Sequence, residues 1–174
     1  MILNTQISDF DSGPTCLFNS LKILYEKDEI PLKLVKIIYT NSLDGKETRM
    51  YENGTSRFAM KRICNKFNIY GNKHNMDIFY MYYAKEEVDV ELIKKALLEK
   101  KILIFRNNYE NENYFMLTEY KNNIIYIFDP SIEDTIDEKY NTYINIENFD
   151  TSKNIKYSLG PIDTRELIIA SKYC

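Results

Sequence analysis

A chain of 174 residues, 44% hydrophobic and 28% charged, is expected to form one globular domain, residues 1–174, around a single core. A net charge of −3 with no basic run argues against a nucleic-acid partner. No run approaches about 18 apolar residues, and the start lacks a basic segment followed by an apolar one, so neither a membrane span nor a signal peptide is expected.

The apolar periodicity places four helices, mostly early in the chain. Ser12 reads as an N-cap with Pro14 in the first turn, and Leu17, Leu21, Leu24 and Tyr25 share one face of a helix reaching about Glu26. Pro31 opens a second helix with Leu34, Ile37 and Ile38 at helical spacing. Gly54-Thr55-Ser56 opens a third that carries Phe58, Ile63, Cys64 and Phe67, and Asp89 caps a fourth from Val90 to about Lys100. The strands come later: 78–83, 102–106, and the pair 113–120 and 124–129 flanking Lys121-Asn122-Asn123, which reads as a hairpin turn. A closing strand is expected over 166–173. Helices first and antiparallel strands second is an α+β arrangement.

The three cysteines, Cys16, Cys64 and Cys174, show no metal-ligand spacing. They suit a reducing, cytoplasmic setting with two buried thiols and a loose C-terminal one, and no metal or other cofactor is expected. The single histidine, His74, reads as a solvated loop residue, as does the acidic group Glu133, Asp134, Asp137 and Glu138. Tyr80, Tyr82 and Tyr83 read as a strand with one wet face, and nothing is legible at Tyr109.

Several motifs in order then carry a resemblance: Gln6, Gly13-Pro14-Thr15 with Leu17, Gly54-Thr55-Ser56, Asn113-Tyr114-Phe115-Met116-Leu117, and Phe128-Asp129-Pro130. Together they span residues 6 to about 130 and resemble the bacteriocin-processing, double-glycine leader peptidases, cysteine peptidases of papain-like fold. The resemblance implies N-terminal helices packed on a C-terminal antiparallel sheet. It implies that Gln6 is the oxyanion donor and Asp129 the residue that orients the base. It also places Ser12 where the family has its nucleophilic cysteine and Asn113 where it has its histidine. In a hairpin turning at 121–123, Asp129 falls opposite about residue 115, on the strand carrying Asn113.

Both substitutions strike the groups that do the chemistry. A hydroxyl is a far weaker acid than a thiol and needs a base in contact, whereas an amide such as Asn113 only donates and accepts hydrogen bonds. Cys16, one turn beyond Ser12 on the same face, is a substitute nucleophile or a buried small hydrophobe. Gln6, Ser12, Asn113 and Asp129 are therefore read as vestigial positions. The expected protein is a degenerate peptidase that binds a peptide or acyl-carrier partner in a papain-like groove bordered by Gly13, without cleaving it. The alternative is an acyl or amide transferase, or a thiol-type hydrolase, of a bacterial peptide or natural-product pathway, with Ser12 either natural or an engineered replacement of cysteine. Asn113 argues against an enzyme disabled at Ser12 alone. The oligomeric state is not legible.

Overall fold

The computed structural model describes residues 3–27, 29–42, 44, 54–110, 112–134 and 137–172. Cys174 and the expected strand end at Tyr173 lie outside them. Five helices are described: α1 (Ser12–Tyr25), α2 (Leu32–Asn41), α3 (Arg57–His74), α4 (Val90–Leu98) and the single turn α5 (Ile146–Phe149). Six strands, β1 (Ile78–Ala84), β2 (Ile102–Asn107), β3 (Asn113–Lys121), β4 (Ile124–Phe128), β5 (Thr142–Asn145) and β6 (Glu166–Lys172), form one antiparallel sheet in the order β1-β6-β2-β3-β4-β5.

Short-range chemistry sets most boundaries. The Ser56 hydroxyl accepts the Ala59 N–H at 3.1 Å and the Asp89 carboxylate accepts the Leu92 N–H at 2.7 Å, so each satisfies a donor that the first turn leaves free. At α1 the cap lies one residue earlier than expected: Asp11 is the N-cap and Ser12 is the first helical residue. The Asp11 carboxylate turns back to the Ile7 and Ser8 N–H groups, which leaves the Ser12 hydroxyl free for a tertiary partner. The β3–β4 hairpin closes through Asn122 and Asn123, both at positive φ (51° and 62°), the conformation that a two-residue turn of this hand demands and asparagine tolerates.

The sheet has a core on each face. On one, α1–α3 bury Leu17, Leu21, Ile63 and Phe67 against Ile104, Met116, Phe128 and Ile168. On the other, α4 and α5 bury Ile93, Leu97 and Phe149 against Phe105, Phe115, Ile127 and Leu167. Cys16 and Cys64 are buried thiols of the first core. Among the described residues no helix is long and apolar enough to cross a membrane.

Candidate functional site around Ser12 and Asp129

The N-terminal segment packs along α1 at one end of the sheet, near Ser12 and Pro130, whereas Asn113 and Asp129 share a cavity whose lining does not include Ser12. The Asn19 side chain of α1 is held on both sides by the backbone of Asn4, at 2.8 and 2.9 Å, which lays the segment along the helix. Two residues on, the Gln6 N–H donates to the Pro130 carbonyl at 2.8 Å, so Gln6 is fastened beside Asp129 through its backbone.

Ser12 is 4% exposed, and its Oγ accepts the Tyr114 N–H at 3.1 Å. Helix α1 is therefore pinned to β3 one residue beyond Asn113. Among the described residues, no carboxylate, imidazole or amine hydrogen-bonds Ser12, and its Oγ is engaged by the Tyr114 N–H. Gly13 is buried as well: a Cβ would lie 3.2 Å from Thr55 Cβ and from Tyr114 Cδ2 and 3.3 Å from Met60 Sδ. The expectation that Gly13 borders an open groove is corrected by this packing.

Asn113 and Asp129 line a common cavity of about 110 Å³, together with Asn107, Phe115, Ser131, Lys156 and Tyr157. The β3–β4 register, with Met116 opposite Phe128, continues to place position 129 opposite 115. Ser12 is not part of that cavity's lining. The Asp129 carboxylate is already engaged: Oδ1 accepts the Ser131 N–H at 2.9 Å and its hydroxyl at 2.6 Å. Oδ2 accepts the Tyr157 hydroxyl at 2.6 Å and lies 3.5 Å from the Lys156 ammonium. Burial, then the hydrogen bond to Asp129 and its charge, push the Tyr157 phenol far above its ordinary value, so it stays a donor. Asn141 fixes the Asp129 backbone on both sides, at 2.8 and 2.7 Å.

Tyr157, Lys156 and Asn141 were missed in the sequence. Tyr157 lies in an irregular segment at positive φ (63°), where no periodic pattern points at it. Asp129-Pro130-Ser131, an acidic residue two before a hydroxyl, was the one legible signal of a self-satisfied turn.

The two bypass candidates fall elsewhere. Cys16 is fully buried, and burial, with the nearby Asp129 charge, pushes its thiol well above its ordinary value, so it is a neutral core group. His74 ends α3 as an exposed helical residue, not a loop residue, with its ring 4.2 Å from that of Tyr70. A helix of this length carries it about 25 Å from the Thr55 end that meets Gly13. Glu133, Asp134, Asp137 and Glu138 are exposed, and among the described residues no cluster of metal-ligating side chains is present.

No protein-family model matches the chain, and no curated protein matches it. Solved structures do. The peptidase domain of Streptococcus ComA, a bifunctional ABC transporter involved in a quorum-sensing pathway, aligns with 99% of this chain and 98% of its own at 16% identity, with a TM-score of 0.59. The double-glycine-motif protease of an AMS/PCAT transporter, crystallised with a leader peptide, aligns with 99% of this chain and 91% of its own at 18% identity and a TM-score of 0.54. The Streptococcus mutans ComA peptidase domain aligns with 97% and 98% of the two chains at 14% identity and 0.51. The chain thus has the papain-like fold of the double-glycine peptidase domains.

Proposed function

We propose that this chain is a non-cleaving relative of the double-glycine peptidases, which holds a peptide or a peptide-like arm of a carrier protein on the surface beside Ser12. In this reading Gln6, Ser12, Asn113 and Asp129 stand at the positions of oxyanion donor, nucleophile, base and orienting acid. The observation that carries it is the hydrogen bond from the Tyr114 N–H to a Ser12 hydroxyl that has no base. A serine without a base lacks the step that makes it a nucleophile, whereas backbone donors and a shaped surface can still bind. The leader peptide bound to the AMS/PCAT protease supports an extended peptide as the ligand class.

The test is incubation of the purified protein with synthetic peptides carrying a double-glycine motif, followed by calorimetry and mass spectrometry. Binding that saturates, with the peptide intact after days and no acyl adduct on Ser12, is the expected result. Cleavage or an adduct abolished by Ser12→Ala overturns it.

A further inference from the structure

Below the Ser12 contact lies a buried charged cluster that the reading above does not use. Arg106 and Tyr114 are directly opposed on β2 and β3, and one step beyond the Phe105–Leu167 pair Glu166 of β6 falls opposite Arg106. These three side chains form one cross-strand row under the N-termini of α1 and α3. Glu166 and Arg106 are 0% and 5% exposed. The Tyr114 hydroxyl donates to Glu166 Oε1 at 3.0 Å. Arg57 Nε and Arg106 Nη1 lie 3.6 and 3.9 Å from Oε2, too far for hydrogen bonds. Glu166 Oε2 and Arg106 Nε and Nη1 have no hydrogen-bond partner among the described residues. Among the described residues the Tyr114 hydroxyl is thus the one direct donor to this carboxylate.

Tyr114 is bonded at both ends: its hydroxyl to Glu166 and its N–H to Ser12. We propose that Glu166 is a positioning residue: its hydrogen bond to Tyr114 holds the start of β3 against Ser12, and protonation of Glu166 loosens that contact. The consequence for ligand binding rests on the reading that the surface beside Ser12 receives a peptide. Every element around Glu166 contributes a group that faces it: Arg57 and Cys64 from α3, Tyr82 from β1, Arg106 from β2 and Tyr114 from β3, with Glu112 paired to Arg106 one step further out. Burial raises the Glu166 carboxyl to about 7 against the opposing pull of Arg106, Tyr114 and Arg57, so the group titrates near neutrality. Arg57 is itself anchored to the carbonyls of Asp163 and Thr164, both at 3.2 Å, so an opening at Tyr114 leaves Glu166 between its arginines. Such an opening removes the hydroxyl donor that favours the charged form. By linkage, the open form then binds the proton more tightly, and opening is favoured as pH falls.

Hydrogen exchange at the Tyr114 amide, followed by NMR on the unliganded protein and corrected for intrinsic rates, tests this directly. Between pH 8 and pH 5.5 its protection is expected to fall by about tenfold, equivalent to ~1.4 kcal/mol. The Leu117 amide, deeper in β3, is expected to hold or rise. In Glu166→Gln the Tyr114 amide is expected to lose its pH dependence. In Tyr114→Phe, which keeps the amide and removes the hydroxyl, protection at position 114 is expected to be low at every pH. A Tyr114 amide that tracks Leu117 across the range, or a phenylalanine variant protected like wild type, overturns the proposal.

A second arm titrates a synthetic peptide ending in Gly-Gly at pH 5.5 and pH 8. An affinity that changes at least threefold in wild type and not in Glu166→Gln supports the link to the cleft, and an unchanged wild-type affinity overturns that link. If no peptide binds while the exchange result stands, the proposed function fails and the coupling holds.

Discussion

Ser12 sits at a helix N-terminus, where a thiol is most readily ionised, but a hydroxyl in the same field remains a hydroxyl. Under the proposed reading, converting Ser12 and Asn113 to cysteine and histidine is not a matter of two positions. Asp129 already accepts from Ser131 and Tyr157 and lies beside the Lys156 ammonium, so a histidine at 113 would have to compete for its carboxylate. The expected outcome is that Ser12→Cys with Asn113→His is alkylated by iodoacetamide faster than either single variant, and that adding Tyr157→Phe, which frees Oδ2, accelerates it further. Mass spectrometry that localises the adduct to position 12, and so separates it from alkylation at Cys174, checks this, with the buried Cys16 and Cys64 giving little background. On its own, Tyr157→Phe removes a bond to a charged acceptor at a half-buried site. It is expected to destabilise the fold by ~1 kcal/mol in urea unfolding.

The elements around the site are held by caps and close contacts that can be tested one at a time. Asp89→Ala removes the acceptor of the Leu92 N–H and is expected to lower stability by ~1 kcal/mol without touching the site. Gly13→Ala should gain helix propensity of about 1 kcal/mol, yet its methyl would press on Thr55, Tyr114 and Met60 at 3.2–3.3 Å. Overpacking of that kind costs about 1–3 kcal/mol, so a net loss is expected in thermal unfolding. A stabilised Gly13→Ala would mean that α1 can shift away from β3, and the Ser12–Tyr114 contact would then be loose.

For the whole molecule, Glu166 makes stability depend on pH in an unusual direction. Its carboxyl is raised to about 7 in the folded protein, mainly by burial, against an ordinary value near 4.5. Between those values the folded chain holds a proton that the unfolded chain has released, so stability falls as pH rises from about 4.5 to 7 and levels off above. Unfolding midpoints in urea from pH 5 to pH 8 should therefore decline more in wild type than in Glu166→Gln, by up to ~1 kcal/mol per pH unit. Parallel curves for the two proteins would show that Glu166 is charged throughout, held so by Arg57 and Arg106.

Local rules account for what was legible in the chain itself. Asp89 and Ser56 announce their helices because a cap acts within three residues, and Asn122-Asn123 announces the hairpin because its two residues tolerate positive φ. Helices before strands, and the motifs from Gln6 to Pro130, pointed to the papain-like fold that the solved structures share. The edge strand β5 and the single turn α5 left no such mark, because four residues each are too few for a strand or helix periodicity to show. Nor did the sequence place β6, the last strand, between β1 and β2. That insertion is what brings Glu166 to Arg106 and Tyr114. The contacts that define the site join residues 28 apart (Tyr157 and Asp129), 52 apart (Tyr114 and Glu166) and 102 apart (Ser12 and Tyr114). No periodicity or capping rule reaches across such separations. Only packing of the helices on both faces of the sheet decides which hydroxyl, carboxylate and amide meet.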